Sequence, residues 1–440
     1  MMFDCIMNYY CLKMNKILLL SFLFLCMTIG VKADGLSFFK GKYDKALQEA
    51  KVSGKPVLLY FRVKGTEPCG YFEKEVLAND TVGEVYNARF VNVLVEADKK
   101  NQELLSAYGV REAPLVIWLN AEGKEVYRMV GDIPVSVMEH AGQVMLGKKP
   151  SLEDLLAAVK KSDYSLEAMQ TMLSEGLAFL PILGEKAINY WTGEIKAVYQ
   201  RYLDDKSFEE MVNEKDFRIL TCYEDEAKLY DPVFEFILEN YDAFKEIVPE
   251  KDVADYLINR NLEVIGRLTY AGNEAYTEAV ERIGGDLSKA YALMESVVGM
   301  DTVIRYQADA DFWLHGKKDL DAYVDVKNEY FKVLGGKLKW QDLYSAVNDL
   351  KKAAQGKFTE KALEVCLAWV DVVDAQKDIE PSVRLWAQMT KGDCLQGAGD
   401  LSNAKACYNQ AYMIAMQLKN QEVQEFLKQK IAALEQAANH

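Results

Sequence analysis

Histidine is nearly missing from this chain. The three present, His140, His315 and His440, lie far apart among 440 residues, which leaves no histidine-rich metal site to look for. Basic runs are missing as well. Lys and Arg number 52 against 67 Asp and Glu, for a net charge of −15, and so acidic a chain repels phosphate and excludes nucleic acid as a partner. No apolar run reaches the ~20 residues of a membrane-spanning helix. The longest, Ile17 to Val31, is interrupted by Ser21, Thr28 and Gly30. There is no Gly-rich phosphate loop, Gly-x-Ser-x-Gly elbow or His-Glu-x-x-His, so neither a cofactor nor a metal is expected. The acidic run Glu224-Asp225-Glu226 lacks the Gly-centred loop of spaced carboxylates that calcium needs and reads as solvated.

Half of the residues are hydrophobic, with 27% charged and 11% aromatic, the composition of a folded chain rather than a disordered one. At roughly 100–200 residues per domain, this length suggests two or three domains. Lys13 and Lys16 precede the Ile17–Val31 run, and Val31-Lys32-Ala33 follows it with small side chains where a signal peptidase reads. This is the pattern of a cleaved secretory signal over residues 1–33, with Met14 a better start than Met1. The expected location is periplasmic or secreted, with no membrane span after cleavage. Cys26 sits after Leu25, too large for a lipoprotein site. Cleavage removes Cys5, Cys11 and Cys26 and leaves Cys69, Cys222, Cys366, Cys394 and Cys407. An odd number of thiols in an oxidising compartment leaves at least one unpaired or bonded to another molecule.

From Leu36 to about Gly147 strand and helix patterns alternate. Pro56–Phe61, Phe90–Glu96, Leu115–Leu119 and Glu125–Val130 read as strands, and Tyr43–Ser53, Glu67–Ala78, Gln102–Tyr108 and Val135–Gly147 have helical spacing. That is α/β order at the size of one domain. Ser151-x-x-Asp154 is then a capping signal in front of the stripe Leu152, Leu155, Leu156 and Val159. Beyond it only Pro181, Pro232, Pro249 and Pro381 interrupt the chain, and the pattern is helical throughout.

Gly316, Gly356 and Gly399 each precede an alanine (Ala322, Ala362 and Ala404), spaced as turns followed by small residues that let the helices of a hairpin approach. Gly392, Gly399-Asp400, Ala404, Tyr408 and Ala411 fall at the spacing of a tetratricopeptide repeat, which Leu385–Leu418 resembles. Cys394 and Cys407 flank the turn at Gly399-Asp400 and are candidates to face each other across the hairpin. Unpaired core packing is the simpler reading. His315, beside Trp313, reads as a packing position rather than a ligand.

Thr66-Glu67-Pro68-Cys69 follows the first strand and opens a helix, and Ala113-Pro114 precedes the third strand. With Gly54-Lys55-Pro56-Val57, Glu73-Lys74-Glu75-Val76, Gly109-Val110-Arg111 and Asn120-Ala121-Glu122-Gly123-Lys124, the segment resembles the thioredoxin superfamily, in particular its exported bacterial branch. The resemblance implies a central sheet flanked by helices. Family redox chemistry uses an attacking thiolate and a resolving thiol three positions later. Here the attacking position is Thr66 and only the resolving position, Cys69, keeps its sulfur; Gly65 replaces the preceding tryptophan, and Tyr60 replaces the carboxylate that handles the proton. Dithiol exchange is therefore not expected.

Cys69 has three readings. As a monothiol it would draw on the first helical turn and on Arg62 and Lys64 upstream, although Glu67 and Glu73 oppose a thiolate. Thr-x-x-Cys is also similar to the peroxidatic site of peroxiredoxins, whose proline four residues before the threonine is Arg62 here. In the third reading Cys69 is a small buried hydrophobe sharing one stripe with Phe72 and Val76. Pro114 is the part of the family site that survives. The resemblance implies a cis bond there, exposing the backbone of Ala113 to an extended peptide that pairs as an added strand.

These readings give a thioredoxin-like α/β domain over residues 34–148, a helical domain over 149–310 and a helical-hairpin, tetratricopeptide-like region over 311–440. The expected function is protein or peptide binding at Ala113 and Pro114 without dithiol exchange, any catalysis resting on Cys69 with Thr66 in the nucleophile's place. The alternative is a monothiol oxidoreductase or peroxide reductase using Cys69, with a thiol-containing partner supplying electrons.

Overall fold

The computed structural model describes residues 35–438 except 224, 225 and 297. The signal segment, Cys5, Cys11, Cys26, His440 and most of the acidic run at 224–226 lie outside the described residues. The chain divides into two compact units between residues 224 and 225.

The first unit is built on a four-stranded sheet. In chain order it contains α1 (Tyr43–Ser53), β1 (Val57–Arg62), α2 (Glu67–Tyr71) running into a π-helical turn (Phe72–Leu77), α3 (Asp80–Tyr86) and β2 (Val91–Glu96). Next come α4 (Gln102–Ala107), β3 (Leu115–Leu119), β4 (Glu125–Val130) and α5 (Val135–Met145). Sheet order is β2-β1-β3-β4, with β1 parallel to β2 and antiparallel to β3, and β3 antiparallel to β4. Helices cover both faces, which is why β1 and β3 read as unbroken apolar runs rather than alternating ones. On one face Leu59, Phe61, Val93 and Ile117 pack with Ala46 and Ala50 of α1. On the other, Trp118 Nε1–H donates to the Tyr86 hydroxyl (2.7 Å), which donates to the Met138 carbonyl (2.7 Å), tying α3 and α5 to the sheet. All four strands lie within a residue of their expected bounds, whereas α3 carried no expectation.

Still in the first unit, α6 (Leu152–Lys161) starts at the capping box: Ser151 Oγ accepts from the Asp154 amide (3.1 Å) and Asp154 Oδ2 accepts from the Ser151 amide (3.0 Å). Its stripe of Leu152, Leu155, Leu156 and Val159 is buried, as its spacing predicts. α7 (Leu166–Gly176), α8 (Glu185–Asp205) and α9 (Glu214–Cys222) complete the unit.

The second unit is helical throughout its described residues. It runs through α10 (Pro232–Glu239), α11 (Tyr241–Phe244), α12 (Glu250–Tyr270), α13 (Tyr276–Gly284), α14 (Ser288–Tyr291) and α15 (Met300–Asp311). It continues with α16 (Leu320–Leu334), α17 (Trp340–Ala354), α18 (Glu360–Asp374), α19 (Pro381–Gly397), α20 (Leu401–Gln417) and α21 (Gln421–Ala438). His315 stacks on Tyr270 with ring centroids 4.5 Å apart, a packing role. The α19–α20 turn is made by Gly399 at φ 82°, a left-handed conformation that suits glycine, and Asp400 caps α20 by accepting from the Asn403 amide. Across the hairpin Gly392 gives way to Tyr408: a Cβ at 392 would lie 2.4 Å from the Tyr408 ring.

One cysteine expectation is corrected. Cys394 does not face Cys407 across this hairpin; its sulfur lies 3.7 Å from Cys366 Sγ. Tyr408 takes the inward position on α20, so its neighbour Cys407 is turned about 100° away and sits half-buried beside the charges of Lys391, Asp371 and Asp374.

Candidate functional site

β1 and β3 run antiparallel with Phe61 opposite Leu115. The end of β1 and the start of β3 therefore share one end of the sheet. Thr66 lies four residues beyond β1 and Ala113-Pro114 immediately precedes β3, so the sheet gathers the expected site residues at that end although 47 positions separate Thr66 from Ala113.

Thr66 is the N-cap residue of α2 with extended backbone (φ −83°, ψ 146°), but its side chain does not cap. Instead its hydroxyl donates to the Val63 carbonyl at 2.9 Å, closing the loop after β1. Pro68 in the first turn has no N–H to leave unpaired, which suits a helix start. Cys69 is 1% exposed. It shares its stripe with Phe72 and Val76, 2% and 4% exposed, so the packing expectation for these three holds. The wider π turn also turns Leu77 inward.

Sequence spacing did not reveal what surrounds the sulfur. Tyr60 is fully buried, T-stacked on Phe72 at 5.3 Å, and its hydroxyl donates to Glu73 Oε1 at 3.2 Å. The same hydroxyl hydrogen-bonds Cys69, and burial, with the Cys69 and Glu73 charges, pushes the phenol well above its ordinary range. Tyr60 thus keeps its proton and cannot take one from a neighbouring thiol, the task a carboxylate at this position would perform. Arg62 is equally committed. Its guanidinium donates to Glu73 Oε1 (2.9 Å) and to Glu96 Oε1 (2.5 and 2.9 Å), and these two carboxylates raise its pKa further. The positive charge expected to favour a thiolate at Cys69 is spent on two carboxylates. Arg62 and Tyr60 were legible as residues near the motif; their joint hold on Glu73 requires the helix after Cys69 to fold back on β1.

The Ala113–Pro114 bond is cis, as the family resemblance implies. Pro114 is buried and its carbonyl accepts from the Gly131 amide at 2.9 Å, while Ala113 is partly exposed. Among the described residues no group of three or more His, Cys, Asp or Glu side chains forms a metal site, and no helix is long and apolar enough to cross a membrane.

The family profile described as thioredoxin-like domain matches residues 43–144. Residues 43–144 form a thioredoxin-like domain. The thiol:disulfide interchange protein DsbD 2 of Pseudomonas aeruginosa is 33% identical over 94 residues. That match spans 20% of this chain but only 16% of the relative. Two solved structures overlap the thioredoxin-like domain. The DsbH oxidoreductase shares 23% identity over 29% of this chain and 96% of its own, with a TM-score of 0.25. A candidate disulphide-isomerase from Bacteroides thetaiotaomicron shares 26% over 27% of this chain and 99% of its own, with a TM-score of 0.24. In this chain the thioredoxin-like domain is succeeded by a long all-helical region.

Proposed function

We propose that this chain is exported through a cleaved signal over residues 1–33 and acts in the periplasm or outside the cell as a protein- or peptide-binding module that does not exchange dithiols. The observation that carries this reading is the chemistry at the helix start: the exchange position is the hydroxyl of Thr66, and the one sulfur behind it, Cys69, is 1% exposed and held against a protonated Tyr60. Sulfur–sulfur exchange needs an accessible thiolate, and a threonine hydroxyl does not supply one. What remains at this end of the sheet is a partly exposed backbone at Ala113 beside a buried cis proline. An extended peptide can pair with such a backbone by strand addition, its amides supplying affinity without any nucleophile. The Leu385–Leu418 hairpin, packed as a tetratricopeptide unit would be, offers a second surface of the kind that binds protein segments.

The test uses a fluorescent, reduced and carboxymethylated unfolded protein as probe. Binding read by anisotropy should survive Cys69→Ser and weaken in Pro114→Ala, with circular dichroism verifying the fold of each variant. Native Cys69 should label with iodoacetamide at least tenfold more slowly than in urea. Fast native labelling together with turnover abolished by Cys69→Ser would establish the monothiol or peroxide-reducing activity instead. Thr66→Cys should gain insulin-reducing activity if the nucleophile alone was lost.

A further inference from the structure

Cys366 on α18 and Cys394 on α19 lie with their sulfurs 3.7 Å apart and both side chains fully buried. They sit in the core of the second unit between Ala362, Val370 and Ala387, and 28 positions separate them. Neither spacing nor motif relates the two. They meet because α18 and α19 are consecutive helices whose facing stripes bring one sulfur from each to the same level. A covalent bond would require the sulfurs to approach by about 1.7 Å, from contact to the ~2.05 Å of a disulfide, within the reach of side-chain rotation and a small helix shift. A charged group stands beside the pair. Lys351 on α17 pairs with Asp393 (3.0 Å) and Thr390 (3.3 Å), next to Cys394.

We propose that Cys366 and Cys394 are a redox pair that closes to an intramolecular disulfide, fastening α18 to α19 by exchange with a disulfide-bearing molecule. The thiolate of Cys394 attacks one sulfur of the incoming disulfide, forming a mixed disulfide and releasing the other sulfur as a thiolate. Cys366 then loses its proton and attacks the Cys394 sulfur, releasing the second thiolate. Two cysteine thiols are oxidised, the incoming disulfide is reduced by two electrons, and the two protons end on the released thiols. Cys394 is the better attacking group: the hydrogen bond shared with Cys366 lowers its pKa against the effect of burial, and the Lys351 ammonium acts in the same direction. The same hydrogen bond, with burial, pushes Cys366 up, which keeps that sulfur protonated until the second step. Because both sulfurs are shielded, exchange proceeds through local opening of the hairpin and is slow in the folded chain. The chemistry is independent of Thr66 and Cys69, and its failure would leave the peptide-binding reading untouched.

The experiment equilibrates the purified full chain in glutathione buffers of increasing oxidised fraction, quenches with acid, alkylates and maps peptides by mass spectrometry. The expected result is a peptide joining Cys366 to Cys394, accumulating faster in dilute urea, with the thermal midpoint of the helical unit raised by about 5–10 °C over the reduced chain. The oxidised-against-reduced comparison needs no substitution. Cys366→Ala and Cys394→Ala should each abolish the linked peptide and the shift, while Cys407→Ser should keep both. A Cys394–Cys407 link, glutathione mixed disulfides without closure, disulfide-linked dimers, or no linkage at any buffer poise would each overturn the proposal.

Discussion

Replacing His140 with leucine should flatten the acid limb of the stability profile of the first unit. His140 projects from α5, is 5% exposed and meets Phe179 edge-on with ring centroids 4.6 Å apart. Its Nε2 has no hydrogen-bond partner. Burial, helped by the Lys149 charge, lowers its pKa to about 4. An unfolded histidine titrates near ~6.5, so between those two pH values the unfolded chain holds one more proton than the folded one, and stability rises with pH. The contribution is complete above pH ~6.5 and is lost as pH falls toward ~4, at about 1.4 kcal/mol per pH unit. Integrated from pH 7 to pH 4.5 the loss is about 2.5 kcal/mol, a large share of the ~5–15 kcal/mol that holds a domain together. Leucine fills similar space without a titrating or unpartnered nitrogen. Hydrogen exchange of the Leu115–Leu119 strand, corrected for intrinsic rates, reads the opening of this unit separately from the helical one. The wild-type minus His140→Leu difference in opening free energy should shrink by about 2.5 kcal/mol between pH 7 and pH 4.5. Parallel profiles for the two proteins would refute the reasoning.

Two further substitutions test other contacts. Gly392→Ala places a methyl 2.4 Å from a Tyr408 ring whose hydroxyl is anchored to Asp393 (2.7 Å) and Gln396 (2.9 Å), so overpacking of about 1–3 kcal/mol outweighs the helix-propensity gain of ~1. Gly193→Ala in α8, where the same methyl meets nothing within 4 Å, should instead stabilise by up to about 1 kcal/mol, and thermal melts of the two variants should move in opposite directions. Asp216, fully buried, would be raised by burial alone, yet hydrogen bonds from Lys206, Tyr202, Asn213 and Gln170 hold it below the ordinary carboxylate range. Its stabilisation is therefore present above the unfolded pKa of ~3.9 and lost as pH falls through the lower folded value. At neutral pH Asp216→Ala should cost about 3 kcal/mol in urea unfolding, because Lys206 is left nearly buried without its partner.

Much of the site could be read from the chain because its cues are local. Thr66 in the exchange position, Pro68 in the first turn of α2 and the stripe of Cys69, Phe72 and Val76 are statements about neighbours within two helical turns, and the fold kept each of them. The engagement of Arg62 with Glu73 and Glu96, 11 and 34 positions away, could not be read this way. A guanidinium upstream of a cysteine looks like support for a thiolate until the register of β1 against β2 places Glu96 opposite Arg62.

By itself the sequence determined the α/β order of the first 147 residues, the helical character of the remainder, the capping box at Ser151 and the turn at Gly399. It also determined that the attacking thiol of a dithiol site is absent. Only the tertiary structure decided that Cys69 is shielded by Tyr60 and that Cys394 meets Cys366 rather than Cys407. The physical reason is one of range. Periodicity and capping act through backbone bonds spanning a few residues, whereas the depth of a sulfur and its partner depend on how one helix is rotated against the next, which the packing of the whole unit sets.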